Sequence, residues 1–328
     1  MPLVSVVIPL YNKESHIKRA IDSILAQKIQ DFEIVIVDDG STDKSAEVVK
    51  GFTDPRIRLF QQENAGVSAA RNRGIEEAKA DLIAFLDADD EWMPEHLSTL
   101  LKLRSKYPEA GAYSTAYFIK KSNRRAYVAP IDKEIPQKPW EGLLASYFKS
   151  ATQGNPPVTS STVAVPKIIL NEMNGFNTDA WWGEDTDLWG RIALKYPIAF
   201  SWDGMGIYHT EASNRACEKT EPVKRNIFVT FALKALRNGE VSPEIETDLL
   251  NYIATKEIQT ACRNLMAGRS DLAKSNLYNL KINGCKMRLN YYETFLWVHV
   301  PSNIFLFLRS LKHKIKNIII GFRLSEES

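Results

Sequence analysis

The sequence predicts an α/β protein: a doubly wound, mainly parallel sheet with helices on both faces, joined to a helical C-terminal region. Three observations point to it. Short β-branched runs alternate with segments of helical spacing through the first half of the chain. Those runs are apolar at nearly every position, as in strands covered on both sides. The stretches between them are long enough for the crossover helices that parallel pairing requires.

Taken in order, "LVSVVIPL" is the first buried strand. Asn12 and Ser15 are candidate caps for a helix in which Ile17, Ala20, Ile21, Ile24 and Leu25 recur. "FEIVIV" is a second strand, and "DDGSTD" turns with Gly40 at positive φ and Ser41 or Thr42 capping a short helix. "RIRLF" is a third strand. "GVSAARNRGIEEAKA" is a helix entered by Asn64 and Gly66. "DLIAFL" is the fourth strand, and it runs into "DADD". There Asp90 is a candidate cap and Pro94 a first-turn residue for "PEHLSTLLKLRSKY". From residue 111 the alternation loosens. "GAYSTAYFI" and "RRAYVAP" suit an antiparallel hairpin, and "SSTVAV" a strand stopped by Pro166. "GEDTDLWGRIALKYP" suits a helix with Leu188, Ile192 and Leu194 inward, and "IAFSW" and "MGIYH" two short strands. From Glu221 the pattern is helical.

Composition removes several function classes. The 42 basic and 40 acidic residues leave a net charge of +2, which does not call for a nucleic-acid partner. Three widely spaced cysteines without a CxxC pair argue against a disulfide framework or a zinc site and fit a reducing cytoplasm. The chain passes from Met1 into "PLVSVVIPLYN" without the basic, apolar and small-residue regions of a signal peptide.

In a doubly wound sheet, ligands bind beyond the carboxyl ends of the strands. Asn12, "DDGSTD" and "DADD" fall there. "LDADD" alone reads as a helix cap, a solvated turn, or a holder of a hard divalent cation that cancels its repulsion. Asp38 and Asp39 end a buried strand, where a carboxylate can accept from a base N–H such as that of uracil. Arg71 and Arg73 suit a solvated helix face or a pyrophosphate, for which the planar guanidinium offers a fork of donors. "WWGEDTDLWGR" sets Glu184, Asp185 and Asp187 among Trp181, Trp182 and Trp189. Acids there serve the helix dipole, or, with aromatic neighbours raising a pKa, serve as a general base. Flat tryptophan faces suit either core packing or the C–H faces of sugar rings. His209 ends a strand facing the same cleft, where a structural role competes with a metal or phosphate contact.

In order, "VSVVIPLYNKESHIKRAIDSILAQ", "FEIVIVDDGSTDKS", "NAGVSAARNRGIEEAKADLIAFLDADD" and "GEDTDLWGRIALKYPIAF" resemble family 2 glycosyltransferases of the GT-A fold, across residues 3–210. The resemblance implies that residues 1–110 form the nucleotide-sugar half of a GT-A domain and 111–215 its acceptor and catalytic half, with 216–328 a helical C-terminal region. By it, Pro9, Tyr11 and Asn12 line the nucleotide pocket, Glu14 lies near the phosphates or base, Asp39 contacts the base, Arg71 the nucleotide and Asp87 the ribose. Asp89 binds Mn²⁺ or Mg²⁺, Asp185 is the base with Glu184 beside it, and His209 is a further metal or diphosphate contact. Trp181 and Trp182 are the acceptor-side candidates. The implied reaction is inverting transfer from a nucleotide-diphospho-sugar, UDP favoured, to a hydroxyl of a glycan or lipid-linked acceptor in cell-surface polysaccharide assembly. The Q-x-x-R-W motif and membrane spans of processive members are missing from the sequence, which favours adding one sugar or a few.

Rival classes fit less well. A nucleotidyltransferase needs a glycine-rich, lysine-bearing loop after the first strand, and "PLYNKES" has no glycine. A non-catalytic nucleotide-sugar-binding module would not need Asp89, Asp185 and His209 together. Toward the C-terminus, "FLWVHVPSNIFLFL" is too short and too interrupted to span a bilayer. Arg309, Lys312, His313, Lys314 and Lys316 follow it. That segment suits peripheral binding to the cytoplasmic face of an anionic membrane, or a helical subdomain packed on the core or on a second copy as a homo-oligomer.

Overall fold

A computed structural model describes residues 1–121, 125–131, 135–152, 155–212 and 220–282, together with 295, 296, 298 and 300. Its centre is one mixed ten-stranded sheet. β1 (Val4–Leu10) lies between β2 (Phe32–Asp39) and β4 (Leu82–Phe85), and β3 (Ile57–Gln62) pairs outside β2. All four run parallel. The sequence order reverses between β1 and β4, which opens a crevice at their carboxyl ends.

Beyond β4 the sheet changes character. β5 (Glu91–Trp92) follows β4 in the chain but pairs at the far side. β9 (Val163–Pro166) is antiparallel to both β4 and β6 (Ala112–Lys120). β6 is parallel to β10 (Ile198–His209), and β5 and β8 (Glu141–Leu143) are antiparallel to β10. β7 (Tyr127–Val128) forms the expected hairpin with β6. The two short terminal strands are in fact one: β10 runs through both, with a register shift between Ser201 and Gly206. A bulge bends the strand there without ending it.

Helices cover both faces. Val4, Val6, Ile8, Ile34 and Ile36 point to one core with α1 (Ile17–Leu25) and α4 (His96–Lys106), while α2 (Ser45–Lys50) adds Val49. Val7, Val35 and Val37 point the other way, toward α3 (Val67–Glu77), following the strand period of two. Gly74 lets α3 press onto β1, because a Cβ there would sit 2.3 Å from Val7 Cγ1. The second core continues without a break through α5 (Tyr147–Ser150), α6 (Lys167–Glu172), α7 (Glu184–Ala193), α8 (Ile227–Arg237), α9 (Pro243–Met266) and α10 (Ser270–Ile282). Tyr252 of α9 packs among Tyr147, Phe148 and Phe228. The C-terminal helices therefore share the core of the sheet. The basic segment containing Arg309 and Lys312 lies outside the described residues. Among those described, no helix is long and apolar enough to cross a membrane.

Several cap assignments are corrected. α1 begins after His16 without a side-chain cap, and neither Asn12 nor Ser15 serves it. Asn12 instead adopts φ 50° and its Oδ1 accepts from the backbone N–H of Thr42 at 2.8 Å. Ser41 Oγ accepts from the Asn12 N–H at 3.0 Å, and Asp43 rather than Ser41 or Thr42 accepts from the start of α2. Asn12 and Ser41 thus satisfy backbone and side-chain groups across the two loops, while Asp43 serves the start of its own helix. Asp90 is no cap, and Pro94 precedes α4, whose first residue is His96.

Candidate active site

The crevice gathers acids from four separate strands and helices around a few cations. At the end of β2, Asp39 is buried and accepts from Gln62 Nε2 at 2.8 Å, Ala65 N at 2.9 Å and Gly66 N at 2.8 Å. It therefore shapes the entry to α3, where Gly66 takes φ 91°. A carboxylate has about four acceptor positions, so one lone pair remains to meet a base. Asp38 is used similarly by Ser41 N and Gln61 Nε2, both at 3.0 Å. At the end of β1, Tyr11 is exposed. Glu14 Oε2 accepts from Lys44 N at 2.9 Å, which ties the Tyr11–Glu14 loop to the one after β2. Pro9 sits in β1 opposite Val37.

The three acids of "DADD" separate. Asp87 is the most open of them, and its Oδ1 accepts from Arg71 Nη2 at 2.8 Å. Asp89 Oδ2 receives Lys13 Nζ at 2.8 Å, while its backbone carbonyl accepts from Arg19. Asp90 points inward, accepting from Ser161 Oγ at 2.5 Å and from the His209 N–H at 2.9 Å. Burial, then the charges of Asp89 and Asp87, hold the Asp90 carboxyl well above its ordinary value. It is an internal strut, not a ligand.

His209 is buried beside it. Its Nδ1 lies 2.7 Å from Glu211 Oε1 and its Nε2 2.8 Å from Glu91 Oε1. Both ring nitrogens are thereby engaged, and only an imidazolium donates at both. The arrangement thus supports Asp89 as an ion ligand better than it supports His209. Among the described residues no group of three His, Cys, Asp or Glu side chains is arranged to hold a metal. Asp87 and Asp89 are nevertheless hard oxygen donors, and the Lys13 ammonium rests on Asp89 where a metal cation would bind. Such a set fits Mn²⁺ or Mg²⁺ entering with a diphosphate, since Mg²⁺ takes one or two protein carboxylates and completes its shell from phosphate and water.

Arg71 joins Asp87 to Glu184 on the opposite wall of the crevice. It is buried on α3 with Cζ 5.1 Å from the Phe176 ring centroid, and its Nη1 donates to Glu184 Oε1 at 3.0 Å. Burial disfavours its charge, but Asp87 and Glu184 outweigh that and raise its pKa. Glu184 opens α7 after Gly183, whose φ of 79° lets the chain turn sharply. Burial, and then the neighbouring Asp185 charge, raise Glu184 to about 7. Asp185 is half-buried, and its Oδ1 accepts from Thr186 N at 2.6 Å. Asp187 faces away and pairs with Arg191 at 2.8 Å.

Trp181 and Trp182 stand just before this turn. Arg263 of α9 lies over both rings, with Cζ 5.2 Å and 4.5 Å from their centroids. Trp189 is fully buried against Phe85 and Phe176 and belongs to the core. Sequence reasoning missed Lys13, Arg19, Ser161 and Arg263. Lys13 adjoins Asn12 and was within reach of a careful reading. Arg263 had no local signal, because only the packing of α9 brings it here.

Comparison with known proteins bears on the family and the fold. Residues 5–162 match the family model "Glycosyl transferase family 2". The chain is 37% identical over 132 residues to the uncharacterized glycosyltransferase EpsJ of Bacillus subtilis, covering 40% of this chain and 38% of that protein. It is 38% identical over 142 residues to glycosyltransferase GlyA of Streptococcus pneumoniae, covering 43% of this chain and 20% of that protein. The chain therefore matches well under half the length of either relative. Among solved structures, S. aureus TarS 1-349 in complex with UDP-GlcNAc aligns with a TM-score of 0.59 at 16% identity, covering 88% of this chain and 93% of that one. The mannosyltransferase PcManGT of Pyrobaculum calidifontis, in complex with GDP-Man and Mn²⁺, aligns with a TM-score of 0.59 at 18% identity, covering 97% and 87%. At those identities the likeness shows the GT-A fold.

Proposed function

From the premise that the chain belongs to glycosyltransferase family 2, we propose that the protein is an inverting, metal-dependent glycosyltransferase. It moves a sugar from a nucleotide-diphospho-sugar to a hydroxyl of a glycan or lipid-linked acceptor, in the assembly of a surface polysaccharide. One observation carries the reading: Arg71 bridges Asp87 on the donor side to Glu184, the neighbour of Asp185, at 2.8 and 3.0 Å. A nucleotide held at β1, β2 and β4 therefore lies next to a base.

In this reading Pro9, Tyr11, Asn12 and Glu14 frame the nucleotide, Asp39 meets the base and Asp87 the ribose. UDP is favoured, since one acceptor position on Asp39 suits a single N–H such as uracil offers. Asp185 takes the proton of the acceptor hydroxyl. That oxygen bonds to the anomeric carbon on the face opposite the diphosphate, whose bond breaks with both electrons leaving on the phosphate oxygen. Arg71 and Lys13 stabilise the charge that develops there. A divalent ion bound at Asp89 would supply further charge neutralisation. The test is release of free nucleoside diphosphate from a panel of nucleotide sugars with Mn²⁺, together with a thermal-shift screen of the same donors. Stabilisation by a UDP-sugar and acceptor-stimulated release of UDP are expected. No stabilisation by any nucleotide sugar would refute the proposal.

A further inference from the structure

Two cations meet the acids of the crevice, and they are held differently. Arg71 is buried, pairs with both Asp87 and Glu184, and lies over Phe176. Its planar fork is fixed by that double pairing. Lys13 is anchored through its backbone. Its N–H donates to Ser45 Oγ at 2.8 Å, and on either side Asn12 and Glu14 are tied to the loop after β2. From that anchor its side chain crosses to the end of β4, where Nζ lies 2.8 Å from Asp89 Oδ2, with 11% and 16% of the two side chains exposed. The Tyr11–Glu14 loop is already secured by its backbone bonds, so this ion pair is not needed to hold it. An ammonium on an unbranched four-carbon stem changes rotamer without moving its backbone. Arg19 donates to the backbone carbonyl of Asp89 and holds that acid in place whatever its side chain pairs with.

Lys13 thus occupies the carboxylate at which a divalent ion would be held. Two cations on one carboxylate repel strongly, so Lys13 and such an ion do not share Asp89. Driving the ammonium off Asp89 into an empty crevice strands a charge without a partner. A nucleoside diphosphate entering at the same strand ends removes that penalty, because it offers the displaced ammonium another anion.

We propose that Lys13 exchanges between two anions: Asp89 in the empty crevice, and the donor diphosphate once a divalent ion takes Asp89. The inference rests on the metal role of Asp89 in the proposed glycosyltransferase and deepens it. Lys13 guards Asp89 against a divalent ion arriving alone and so favours its entry with the nucleotide. By linkage, UDP and the ion tighten one another's binding, and Lys13 supplies part of that coupling.

The test titrates Mn²⁺ into the full chain and follows the free ion by electron paramagnetic resonance, so no turnover enters the readout. Without UDP, Lys13→Met is expected to bind Mn²⁺ on the order of tenfold more tightly than the native chain, within the range of coupled sites. With Mn²⁺ saturating, the same variant should bind UDP more weakly by a similar factor, measured by calorimetry. Lys18→Met removes the same charge from an exposed pair with Asp22 and should change neither affinity. An equal gain in Lys18→Met would mark a diffuse charge effect and overturn the exchange. Native-like UDP affinity in Lys13→Met would overturn it too. A gain needs a folded crevice, so Lys13→Gln, which can still donate to Asp89, serves if Lys13→Met melts early. No gain in a folded Lys13 variant overturns the exchange alone. Adding Asp89→Asn to Lys13→Met should abolish the gain. A gain that survives overturns the exchange together with the metal role of Asp89.

Discussion

Arg71 and Glu184 are 113 residues apart in sequence and 3.0 Å apart in the fold, where Arg71 is buried and the Glu184 side chain is 13% exposed. This contact fixes α3 to the start of α7. Replacing Arg71 by Met would leave Asp87 and Glu184 facing each other without a cation. Removing one partner of a buried pair costs about 3–5 kcal/mol. A markedly lower melting temperature and loss of nucleotide binding are expected. Arg71→Lys keeps the charge but not the fork, so it should recover stability in part and activity hardly at all. Melting at the native temperature in Arg71→Met would contradict the bridge.

Glu184 gives the fold a pH dependence of definite sign. It titrates ordinarily near 4.5 and is raised to about 7 in the fold. Between those values the folded state holds more protons than the unfolded one. Stability contributed here is full below 4.5 and declines as pH rises toward 7. Chemical denaturation at a series of pH values should show that decline, and Glu184→Gln should flatten it. An unchanged slope in the variant would remove Glu184 as its source.

Asp185→Asn should keep the thermal shift produced by UDP while transfer falls by about 10²- to 10⁴-fold, the range a positioned base contributes. Asp187→Asn is the contrasting case. It breaks a buried pair with Arg191 and should lower the melting temperature. Near-native turnover in Asp185→Asn would reassign the base.

Chelation by EDTA should stop transfer, and Mn²⁺ or Mg²⁺ should restore it. Asp89→Asn should weaken metal activation more than Asp90→Asn does, because Asp90 faces Ser161 and His209 rather than the cleft. Full activity in EDTA would exclude the metal role of Asp89.

Gly183→Ala tests the turn that aims the acids. Position 183 has φ 79°, and a Cβ there would come within 2.9 Å of Asn226 Nδ2. A left-handed conformation costs a non-glycine residue about 1–2 kcal/mol. Lower stability and a larger fall in kcat than in nucleotide affinity are expected, measured by melting and steady-state kinetics.

The parallel strands β1 to β4 were legible because each is a largely apolar, β-branched run bounded by turn residues. Gly40 was legible too, and it takes φ 73°. The use of polar loop residues was harder to read. Asp39 spends three acceptor positions on Gln62, Ala65 and Gly66, which lie 23 to 27 residues away. Asn12 looked like a helix cap because local spacing cannot reveal that its partner is the loop after β2. The Lys13–Asp89 pair spans 76 residues. Arg263 lay beyond the reach of any motif, since a helix interior offers no sign of what it packs against.

The continuous core through α8 and α9 bears on how enzymes of this kind are recombined. The family match ends at residue 162, which invites a crossover shortly afterwards. Such a chimera would pair a foreign tail with Tyr147 and Phe148 in place of Phe228 and Tyr252. It would also exchange Arg263, which lies over Trp181 and Trp182. Donor preference and the C-terminal helices can be swapped as separate parts only if the aromatic contacts travel with the helices. A library that keeps residues 140–282 together should yield soluble hybrids more often than one cut at 162.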